Sequence, residues 1–394
     1  MNGMVIIGAG ECGVRAAFTL REAGYQGAVT LIGEEPHLPY ERPPLSKNTA
    51  SAPKPIAEEE HYAEAGIELR RGLRIAGIEP ATRQVVVDGG EKLSYDKLLI
   101  ATGARARVFA GLECAQTLRT LEDAQTILTV LKSSRRIAVI GGGFIGLELA
   151  ATARALGTQV TVLEAADRLM ARIVPIEIAA VFEKRHRAEG VRFIFCAQVL
   201  QAGPDGVVLT DGRHIDADIV IAGVGALPET RLAEEAGLAV NNGIVVDNRF
   251  ATQNPHIFAA GDCCNFPFRG QRVRLESWRA SQDQGAHAAH AMLGAQNAFS
   301  TTPWFWSDQY DLGLQIAGLP DLARPFIHRD LGDGAFVLFQ TDERGCLFSA
   351  SGVGSGNAVA RHISIAEKLI ERAQPVPPDL LDNPDVNLKK LLKG

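Results

Sequence analysis

The sequence predicts an α/β protein with two similar domains, each built on a parallel sheet, followed by a smaller α+β domain with an antiparallel sheet. Two observations lead to this prediction. A pattern of apolar strand, glycine-rich turn, amphipathic helix and second strand occurs at residues 4–34 and again at residues 136–164. From residue 303 the pattern changes to short alternating strands and a concentration of aromatic residues, which is typical of an antiparallel sheet.

The first glycine-rich turn follows the apolar run 5–7 and contains Gly8, Gly10 and Gly13. In this spacing the first glycine permits a tight turn, the second lets the backbone approach a pyrophosphate, and the third lets the helix pack on the strand. The unpaired N–H groups at the start of the helix attract phosphates. Glu34 follows the next apolar run, 26 residues after Gly8, and can accept both hydroxyls of an adenosine ribose. The stretch therefore predicts a Rossmann-like dinucleotide site.

The same turn recurs at Gly141, Gly143 and Gly146, and Glu164 lies 23 residues after Gly141. Each copy is followed by a predicted hairpin that returns as a final strand. Because all three glycines and the acid are present in both copies, we expect both to bind a nucleotide instead of one being an empty duplicate. Two such sites predict two dinucleotide cofactors in one chain.

Glu164 also bears on the choice of nicotinamide cofactor. A carboxylate at this strand end accepts from a free 2′-hydroxyl and repels a 2′-phosphate, which favours NADH over NADPH. Arg168 and Arg172 follow closely, and an arginine can recruit that phosphate. The acid favours NADH, and the arginines leave NADPH as the alternative.

Composition excludes several classes of function. A chain of 394 residues fits two or three domains. Its formal charge of −6 argues against nucleic acid or an anionic membrane as the main partner. There is no basic n-region and no apolar run long enough to span a bilayer, so we expect a cytoplasmic protein. The six cysteines include no C-x-x-C pair and no metal-like cluster, so we expect reduced thiols and no metal.

The loop after Glu34 carries a resemblance to a known family. Four prolines predict a stiff, extended loop that ends in Pro-Pro-Leu-Ser-Lys47. Together with the first glycine turn, this motif resembles the FAD-binding part of the NADH-dependent ferredoxin reductases of oxygenase systems. In that family the matching lysine lies beside the flavin ring, so the resemblance implies that Lys47 stabilises negative charge on reduced flavin. Arg42 is close enough to supply charge to a pyrophosphate or to the ring.

Further matches extend the resemblance over nearly the whole chain. Residues 99–103 resemble the family's ATG strand end, residues 118–124 its LRTLEDA segment, and residues 252–262 the segment whose aspartate bonds the ribityl chain. In the family the backbone at the position of Cys12 faces the pyrophosphate, and those of Ile75 and Trp278 face the adenine and the flavin pyrimidine. The residues that the turn and the resemblance assign to FAD are Gly8, Gly10, Cys12, Gly13, Glu34, Arg42, Lys47, Ile75, Thr102, Arg119, Asp262 and Trp278.

The resemblance also implies how the second site is used. Glu148, on the helix after the second turn, resembles a family glutamate near the nicotinamide, and Glu276 is implied on the same side; a helix-surface acid is the alternative for Glu148. Hydride transfer itself needs no acid or base, so the implied role of both is orientation. The residues assigned to NADH are Gly141, Gly143, Phe144, Ile145, Gly146, Glu164, Gly223 and Gly225.

The C-terminal region contains the stretch Pro-Trp-Phe-Trp-Ser-Asp-Gln, which matches the family nearly letter for letter. The resemblance implies that Trp306 lies near the flavin edge where an iron–sulfur partner docks, and leaves Trp304 as either a core residue or a part of that surface. The predicted elements are strands at 314–317, 335–340 and 347–351 and helices at 357–372 and 387–393, with a proline-rich linker at 375–384.

The resemblance implies a flavoprotein that takes hydride from NADH onto FAD and passes single electrons to a two-iron, two-sulfur ferredoxin, which feeds a cytochrome P450 or a Rieske oxygenase. Lys47, Glu148, Glu276 and Trp306 are the implied reaction residues. The expected domains are an FAD-binding domain (1–110 and 227–302), an NADH-binding domain (111–226) and a C-terminal domain (303–394). The absence of cysteine from residues 46–51 argues against the related disulfide reductases.

Other functions share the same cofactor sites. A rubredoxin reductase or an NADH oxidase would need the same flavin and NADH residues, and a redox-switched binding protein resembling apoptosis-inducing factor would differ chiefly in longer insertions. Four arginines at 269, 272, 274 and 279 form a basic cluster that would steer an acidic ferredoxin. Ordinary solvated arginine is the alternative interpretation of that cluster.

Overall fold

The computed structural model describes residues 3–47 and 53–392. They form two compact units. The first contains the described residues within Met1–Pro43, Ala52–Arg105 and Ala226–Thr301, and the second contains those within Pro44–Ser51, Ala106–Gly225 and Thr302–Gly394. The C-terminal region therefore shares a compact unit with the second glycine turn. The limits of the three expected functional domains stay a prediction.

A parallel sheet forms the centre of the first unit. Its middle strand, Gly3–Ile7, pairs with Val29–Ile32 on one side and with Lys92–Ile100 on the other. Ile67–Arg70 extends the sheet beyond Val29–Ile32, and Ile257–Ala259 pairs with Lys92–Ile100. All five residues of the middle strand are buried, as expected for a parallel strand covered on both faces. The first glycine turn begins directly after this strand.

The predicted hairpin and return strand are present in the first unit. Ile75–Glu79 and Gln84–Val87 pair antiparallel, and Gln84–Val87 pairs in turn with Lys92–Ile100. The remaining elements of this unit are the helices Glu11–Glu22, Glu59–Glu64, Arg231–Glu235 and Trp278–Met292 and the short strands Ile244–Val245, Cys264–Phe268 and Gln271–Val273. Two further short strands are Ala104–Ala106 and Ala226–Pro228.

The second unit repeats the parallel arrangement. Arg136–Ile140 pairs with Gln159–Leu163 and with Ile219–Ala222, and Arg192–Ile194 extends the sheet beyond Gln159–Leu163. The predicted hairpin is again present as a three-stranded antiparallel sheet of Val199–Gly203, Gly206–Leu209 and His214–Asp216. The helices of this part are Leu121–Ser133, Phe144–Ala155 and Ile176–Ala188.

An antiparallel sheet of five strands forms the C-terminal part of the second unit, in the order Trp304–Gln309, Leu312–Gly318, Leu347–Ser355, Ala335–Thr341 and Ile327–Gly332. The three predicted strands are confirmed as its centre. The two edge strands were not predicted, because the sequence of the first shows a cluster of aromatic residues and that of the second contains few apolar residues. The remaining elements are the helices Ala360–Arg372 and Pro378–Asp382 and the 3₁₀ turn Leu388–Leu392.

The proline-rich loop differs from its predicted extended form. Residues Pro43–Ser46 make a 3₁₀ turn, because the φ angle that proline imposes also fits the start of such a turn. Lys47 follows the turn directly. The prolines therefore constrain the backbone just before Lys47, but they do so through a 3₁₀ turn and not through an extended segment.

Among the helices in the described part of the chain, none is long and apolar enough to cross a bilayer.

Gly285 sets the packing of the two long helices in the first unit. A Cβ added at Gly285 would lie 2.3 Å from the carbonyl oxygen of Cys12. Alanine in a helix gains up to about 1 kcal/mol over glycine, but this contact is with backbone and cannot be relieved by a side-chain movement. We expect Gly285→Ala to lower the free energy of unfolding by about 1–3 kcal/mol, measured by thermal or denaturant unfolding.

Gly77→Ala is the control for this prediction. It changes the same residue type in the same unit, at a position where no described atom lies within 4 Å of the added Cβ, and we expect a change of about 0.5 kcal/mol or less. Equal stability of the two variants would contradict the close helix contact.

Candidate functional site

The first glycine turn is shaped by close backbone contacts. Gly8 has a φ of +107°, and a Cβ there would lie 2.2 Å from the carbonyl oxygen of Ala101. A Cβ at Gly13 would lie 1.9 Å from the carbonyl oxygen of Gly8. At Gly10, by contrast, apart from the adjoining stretch of chain, no described atom lies within 4 Å of the added Cβ. The outer glycines therefore close the turn, and the middle glycine leaves an opening next to the start of a helix.

The second turn has the same three properties. Gly141 has a φ of +103°, and a Cβ there would lie 2.4 Å from the carbonyl oxygen of Gly223. A Cβ at Gly146 would lie 2.2 Å from the carbonyl oxygen of Gly141. At Gly143, apart from the adjoining stretch of chain, the described residues again place no atom within 4 Å of an added Cβ. Each unit therefore contains an opening that fits the backbone approach of a dinucleotide pyrophosphate.

The two predicted ribose acids, Glu34 and Glu164, differ in how firmly the protein holds them. Glu34 follows Val29–Ile32, and 75% of its side chain is exposed. Glu164 is held by backbone: its Oε2 accepts from the N–H of Gly142 at 2.6 Å and its Oε1 from the N–H of Ala166 at 2.8 Å. A carboxylate oxygen has lone pairs for more than one donor. These two hydrogen bonds therefore fix the Glu164 carboxylate beside the glycine turn, and its remaining lone pairs can still accept from ribose hydroxyls.

The two arginines after Glu164 are placed differently. Arg168 donates to the carbonyl oxygens of Ala171 and Val174, at 2.9 and 2.8 Å. Its guanidinium is therefore committed to its own loop and poorly placed to recruit a phosphate. Arg172 lies beside Gly225, with one guanidinium nitrogen 3.6 Å from a Cβ added there.

The residues that the resemblance assigns to FAD lie mainly in the first unit. Asp262 follows Ile257–Ala259, and its Oδ1 accepts from the Ser281 hydroxyl at 3.2 Å. Trp278 is the first residue of Trp278–Met292, which Ser277 caps by accepting from a backbone N–H. Asp262 and the helix that begins at Trp278 are therefore held next to each other within the first unit.

Several of the other assigned FAD residues already have protein partners. The Thr102 hydroxyl donates to the carbonyl oxygen of Glu229 at 2.7 Å, and the carbonyl oxygen of Ile75 accepts from Arg231 at 3.0 Å. Cys12 is buried in the first turn of its helix, and burial raises the pKa of its thiol. The Thr102 hydroxyl, the Ile75 carbonyl oxygen and the Cys12 thiol are therefore already placed by contacts or burial within the protein, and a cofactor would meet other atoms of these residues.

Arg42 is paired within its loop. Its guanidinium lies 2.6 Å from Glu35 Oε1, while the Tyr40 hydroxyl donates to Glu35 Oε2 at 2.5 Å.

In the basic cluster, Arg272 donates to Asn265 and to the carbonyl oxygen of Val246. These contacts hold the Arg272 guanidinium against neutral acceptors of its own unit, and steering of a partner by the cluster stays a prediction.

Glu276 belongs to the first unit and forms an ion pair with Arg274. The glutamate side chain remains 40% exposed. Arg119 belongs to the second unit and precedes Leu121–Ser133, and its backbone N–H donates to Asp123 Oδ2 at 2.8 Å.

Three of the implied reaction residues meet in the second unit. Lys47 Nζ lies 3.4 Å from Glu148 Oε1 and 3.8 Å from Asp308 Oδ2. It also lies 5.6 Å from the centre of the Trp306 ring, within cation–π range. Trp304 stacks on Trp306, with ring centres 5.3 Å apart. The sequence elements that carry lysine, acid and tryptophan thus form one cluster.

Two serines that the sequence analysis did not single out complete this cluster. The Ser46 hydroxyl donates to Glu148 Oε2 at 2.5 Å, and the Ser307 hydroxyl donates to Glu148 Oε1 at 2.6 Å. Thr152 donates to the carbonyl oxygen of Ser46 at 2.7 Å. Glu148 is only 9% exposed, so it is a buried acid with dedicated donors and not the helix-surface acid considered above. The available signal was that both serines adjoin residues of the matched motifs.

The start of the helix after the second turn presents two apolar residues. Phe144 packs on Phe305, with ring centres 4.4 Å apart, and Ile145 is 45% exposed. An exposed isoleucine beside the opening at Gly143 is suited to contact the flat face of a ring.

Comparisons with known proteins agree with this geometry. A family model described as "Pyridine nucleotide-disulphide oxidoreductase" matches residues 3–285, and one described as "Reductase C-terminal" matches residues 304–392. Two nucleotide openings followed by this C-terminal domain define a two-nucleotide flavin oxidoreductase.

Individual relatives place the chain more closely. It is 42% identical over 352 residues to the 3-phenylpropionate/cinnamic acid dioxygenase ferredoxin–NAD(+) reductase component of Photorhabdus laumondii, covering 86% of this chain and 89% of that one. It is 40% identical over 331 residues to the rubredoxin–NAD(+) reductase of Pseudomonas putida, covering 80% and 86%. The crystal structure of the covalent putidaredoxin reductase–putidaredoxin complex matches with a TM-score of 0.92 at 34% identity, covering 100% and 98%.

The chain therefore belongs to the pyridine nucleotide-disulphide oxidoreductase family, among the members that carry the reductase C-terminal domain. It is an oxidoreductase that uses FAD and NADH. The predicted family resemblance, fold class and cofactors are confirmed.

Proposed function

We propose that this protein takes electrons from NADH and delivers them singly to a two-iron, two-sulfur ferredoxin, which serves a Rieske oxygenase or a cytochrome P450. The observation that carries the proposal is the pair of matching glycine openings, one in each unit, together with the Lys47–Glu148–Trp306 cluster. The relatives named as ferredoxin reductase component and as putidaredoxin complex support this class of partner. We place the activity in the cytoplasm, where reduced thiols such as the six free cysteines are stable.

We assign FAD to the opening at Gly10 and NADH to the opening at Gly143. When bound, FAD supplies the chemistry of accepting two electrons together and releasing them one at a time. Glu34 would hold the FAD ribose and Asp262 the ribityl chain, and Glu164 would hold the NADH ribose. The glycine contacts described above support this assignment, because they leave room for backbone-to-phosphate contacts at both turns.

The cluster around Lys47 gives each side chain a role. Lys47 supplies positive charge where negative charge develops, and Glu148 fixes the lysine while presenting a carboxylate to the nicotinamide carboxamide. Glu276 is assigned to orientation of the nicotinamide as well. Trp306, held against Lys47 and Trp304, is assigned to the surface from which electrons leave.

Rubredoxin is the second candidate for the partner, because one relative is a rubredoxin–NAD(+) reductase. The two candidates share the cofactor sites and differ only in the protein that accepts electrons. Flavin- and NADH-loaded turnover with each purified acceptor therefore distinguishes them.

The proposed function is tested by NADH-dependent cytochrome c reduction. We expect rapid reduction when a purified two-iron ferredoxin is added and little without it, because the proposal makes the ferredoxin the carrier. Faster turnover with rubredoxin would move the assignment to that partner. Slow turnover that no added carrier accelerates would overturn the proposal and favour an oxidase or a redox-switched binding protein.

Glu164→Ala tests the NADH assignment. Loss of the carboxylate removes the acceptor for the ribose hydroxyls and the repulsion of a 2′-phosphate, so we expect kcat/KM for NADH to fall about tenfold or more and the NADH-to-NADPH ratio to fall with it. Steady-state kinetics with both cofactors measures the ratio. Glu34→Ala, the equivalent acid of the other turn, is the control that should leave this ratio unchanged. An unchanged ratio in Glu164→Ala would show that the acid is misassigned.

Trp306→Ala tests the electron exit. We expect reduction of the flavin by NADH to stay within about twofold of the unsubstituted protein and reduction of ferredoxin to slow about tenfold or more, because the change removes an aromatic surface from the exit only. Stopped-flow measurement separates the two half-reactions, and Trp306→Phe should retain more of the second. Equal losses in both half-reactions would contradict the assignment.

A further inference from the structure

Behind Glu148 lies a continuous chain of hydrogen bonds. The Ser307 hydroxyl donates to Glu148 Oε1 at 2.6 Å, and Gln309 Nε2 donates to Ser307 Oγ at 3.2 Å. Gln309 Oε1 lies 2.8 Å from His186 Nε2, and the Tyr310 hydroxyl lies 3.4 Å from His186 Nδ1. All five residues belong to the second unit. The chain links Ile176–Ala188 to the Lys47 cluster.

The interior of this chain is closed to solvent. Ser307 and His186 are 0% exposed and Gln309 is 1% exposed. Bulk water therefore does not supply alternative donors or acceptors, and a group that loses its partner here carries the full cost of a buried unsatisfied polar atom. The chain must be satisfied by its own members.

The number of protons then fixes the direction of every bond. A serine hydroxyl has one proton, and at Ser307 that proton goes to Glu148. Ser307 must therefore accept from the amide nitrogen of Gln309, which turns the amide oxygen of Gln309 towards His186. An amide oxygen can only accept, so His186 Nε2 must carry a proton.

The other neutral tautomer of His186 would reverse the chain. With the proton on Nδ1, Nε2 would accept from the Gln309 amide, and the Gln309 oxygen would face Ser307. Ser307 would then have two acceptors and one proton, so Glu148 would share its donor or lose it. The tautomer of a remote histidine thus determines how many donors reach Glu148.

The surroundings of His186 suit the first arrangement. Burial raises the pKa of Tyr310 to about 12, so its hydroxyl stays protonated and can donate to an Nδ1 that carries no proton. Burial lowers the pKa of His186, which favours the neutral ring. The charged groups nearest to the ring are Arg185 and Glu189, which pair with each other, and the edge of the Phe193 ring covers another side.

We propose that His186 is a positioning residue for Glu148: its Nε2–H fixes the direction of the chain through Gln309 and Ser307, so that the Ser307 proton is always directed at the carboxylate beside Lys47. The chemical arrangement stands on the contacts above. Its importance for electron transfer rests on the proposed function of Glu148.

The tautomer is measured directly by nitrogen-15 NMR of the histidine rings in the flavin-loaded protein, with the His186 signals assigned by their loss in His186→Gln. The ring that is measured is that of the unsubstituted protein, and His186→Gln serves only to assign its signals. We expect a neutral ring with the proton on Nε2 at pH 7. A neutral ring with the proton on Nδ1 would overturn the proposal.

The effect on Glu148 is measured by the carbon-13 chemical shift of its carboxyl group, assigned with Glu148→Gln. In Gln309→Glu, which keeps the size of the side chain, we expect the carboxyl carbon signal of Glu148 at pH 7 to move, because a carboxylate at position 309 can only accept and then competes with Glu148 for the one proton of Ser307. Gln340→Glu is the matched control. Gln340 is also 1% exposed, belongs to the same sheet, and donates to the backbone carbonyl oxygens of Asp321 and Arg324.

We expect Gln340→Glu to leave the carboxyl carbon signal of Glu148 unchanged. Equal changes in the two variants, or no change in Gln309→Glu, would overturn the proposal. Failure of the proposed function would look different, because Glu148→Gln would then leave flavin reduction by NADH unaffected while the tautomer and the carboxyl signal remained as stated.

Discussion

The structure depends on how closely the backbone approaches itself at the two glycine turns. At Gly8 and Gly141 the chain passes so near a carbonyl oxygen that no side chain fits, and at Gly13 and Gly146 the helix lies directly on the turn. These contacts bring each helix N-terminus to the end of the central strand and leave Gly10 and Gly143 facing open space. Without the outer contacts the middle glycine would have no opening to face, and no site for a pyrophosphate would exist at either sheet edge.

A second requirement is the accommodation of a buried charge. Glu148 is an acid in a largely dry environment, where an ionised carboxylate is costly unless several donors surround it. Lys47, Ser46 and Ser307 supply those donors, and they come from a proline-rich loop and an edge strand that are far apart in sequence. The cluster therefore ties three sequence regions to one carboxylate, and its geometry is maintained by hydrogen bonds that solvent cannot replace.

The sequence predicted what is determined locally. Glycine spacing, strand-end acids and the central strands follow from short-range geometry, and the family motifs supplied residue assignments along nearly the whole chain. It did not predict that Lys47 contacts both Glu148 and Trp306 within one unit, because Lys47 is about 100 positions from Glu148 and about 260 from Trp306, and only the fold brings them together. Ser307, Gln309 and His186 were missed for the same reason: their importance is in a shared hydrogen-bond chain, not in any pattern of spacing. Arg168 is the opposite case. The sequence suggests it as a phosphate-binding residue, but its guanidinium donates to carbonyl oxygens of its own loop.

The account claims that the two openings bind different nucleotides, and one pair of variants tests this directly. Gly10→Val and Gly143→Val fill the two openings with the same side chain, and the bound flavin is measured by its absorbance before and after NADH is added. We expect Gly10→Val to be purified without flavin, and Gly143→Val to retain flavin that NADH reduces at least tenfold more slowly. Loss of flavin in both variants, or unchanged bleaching by NADH in Gly143→Val, would contradict the claim.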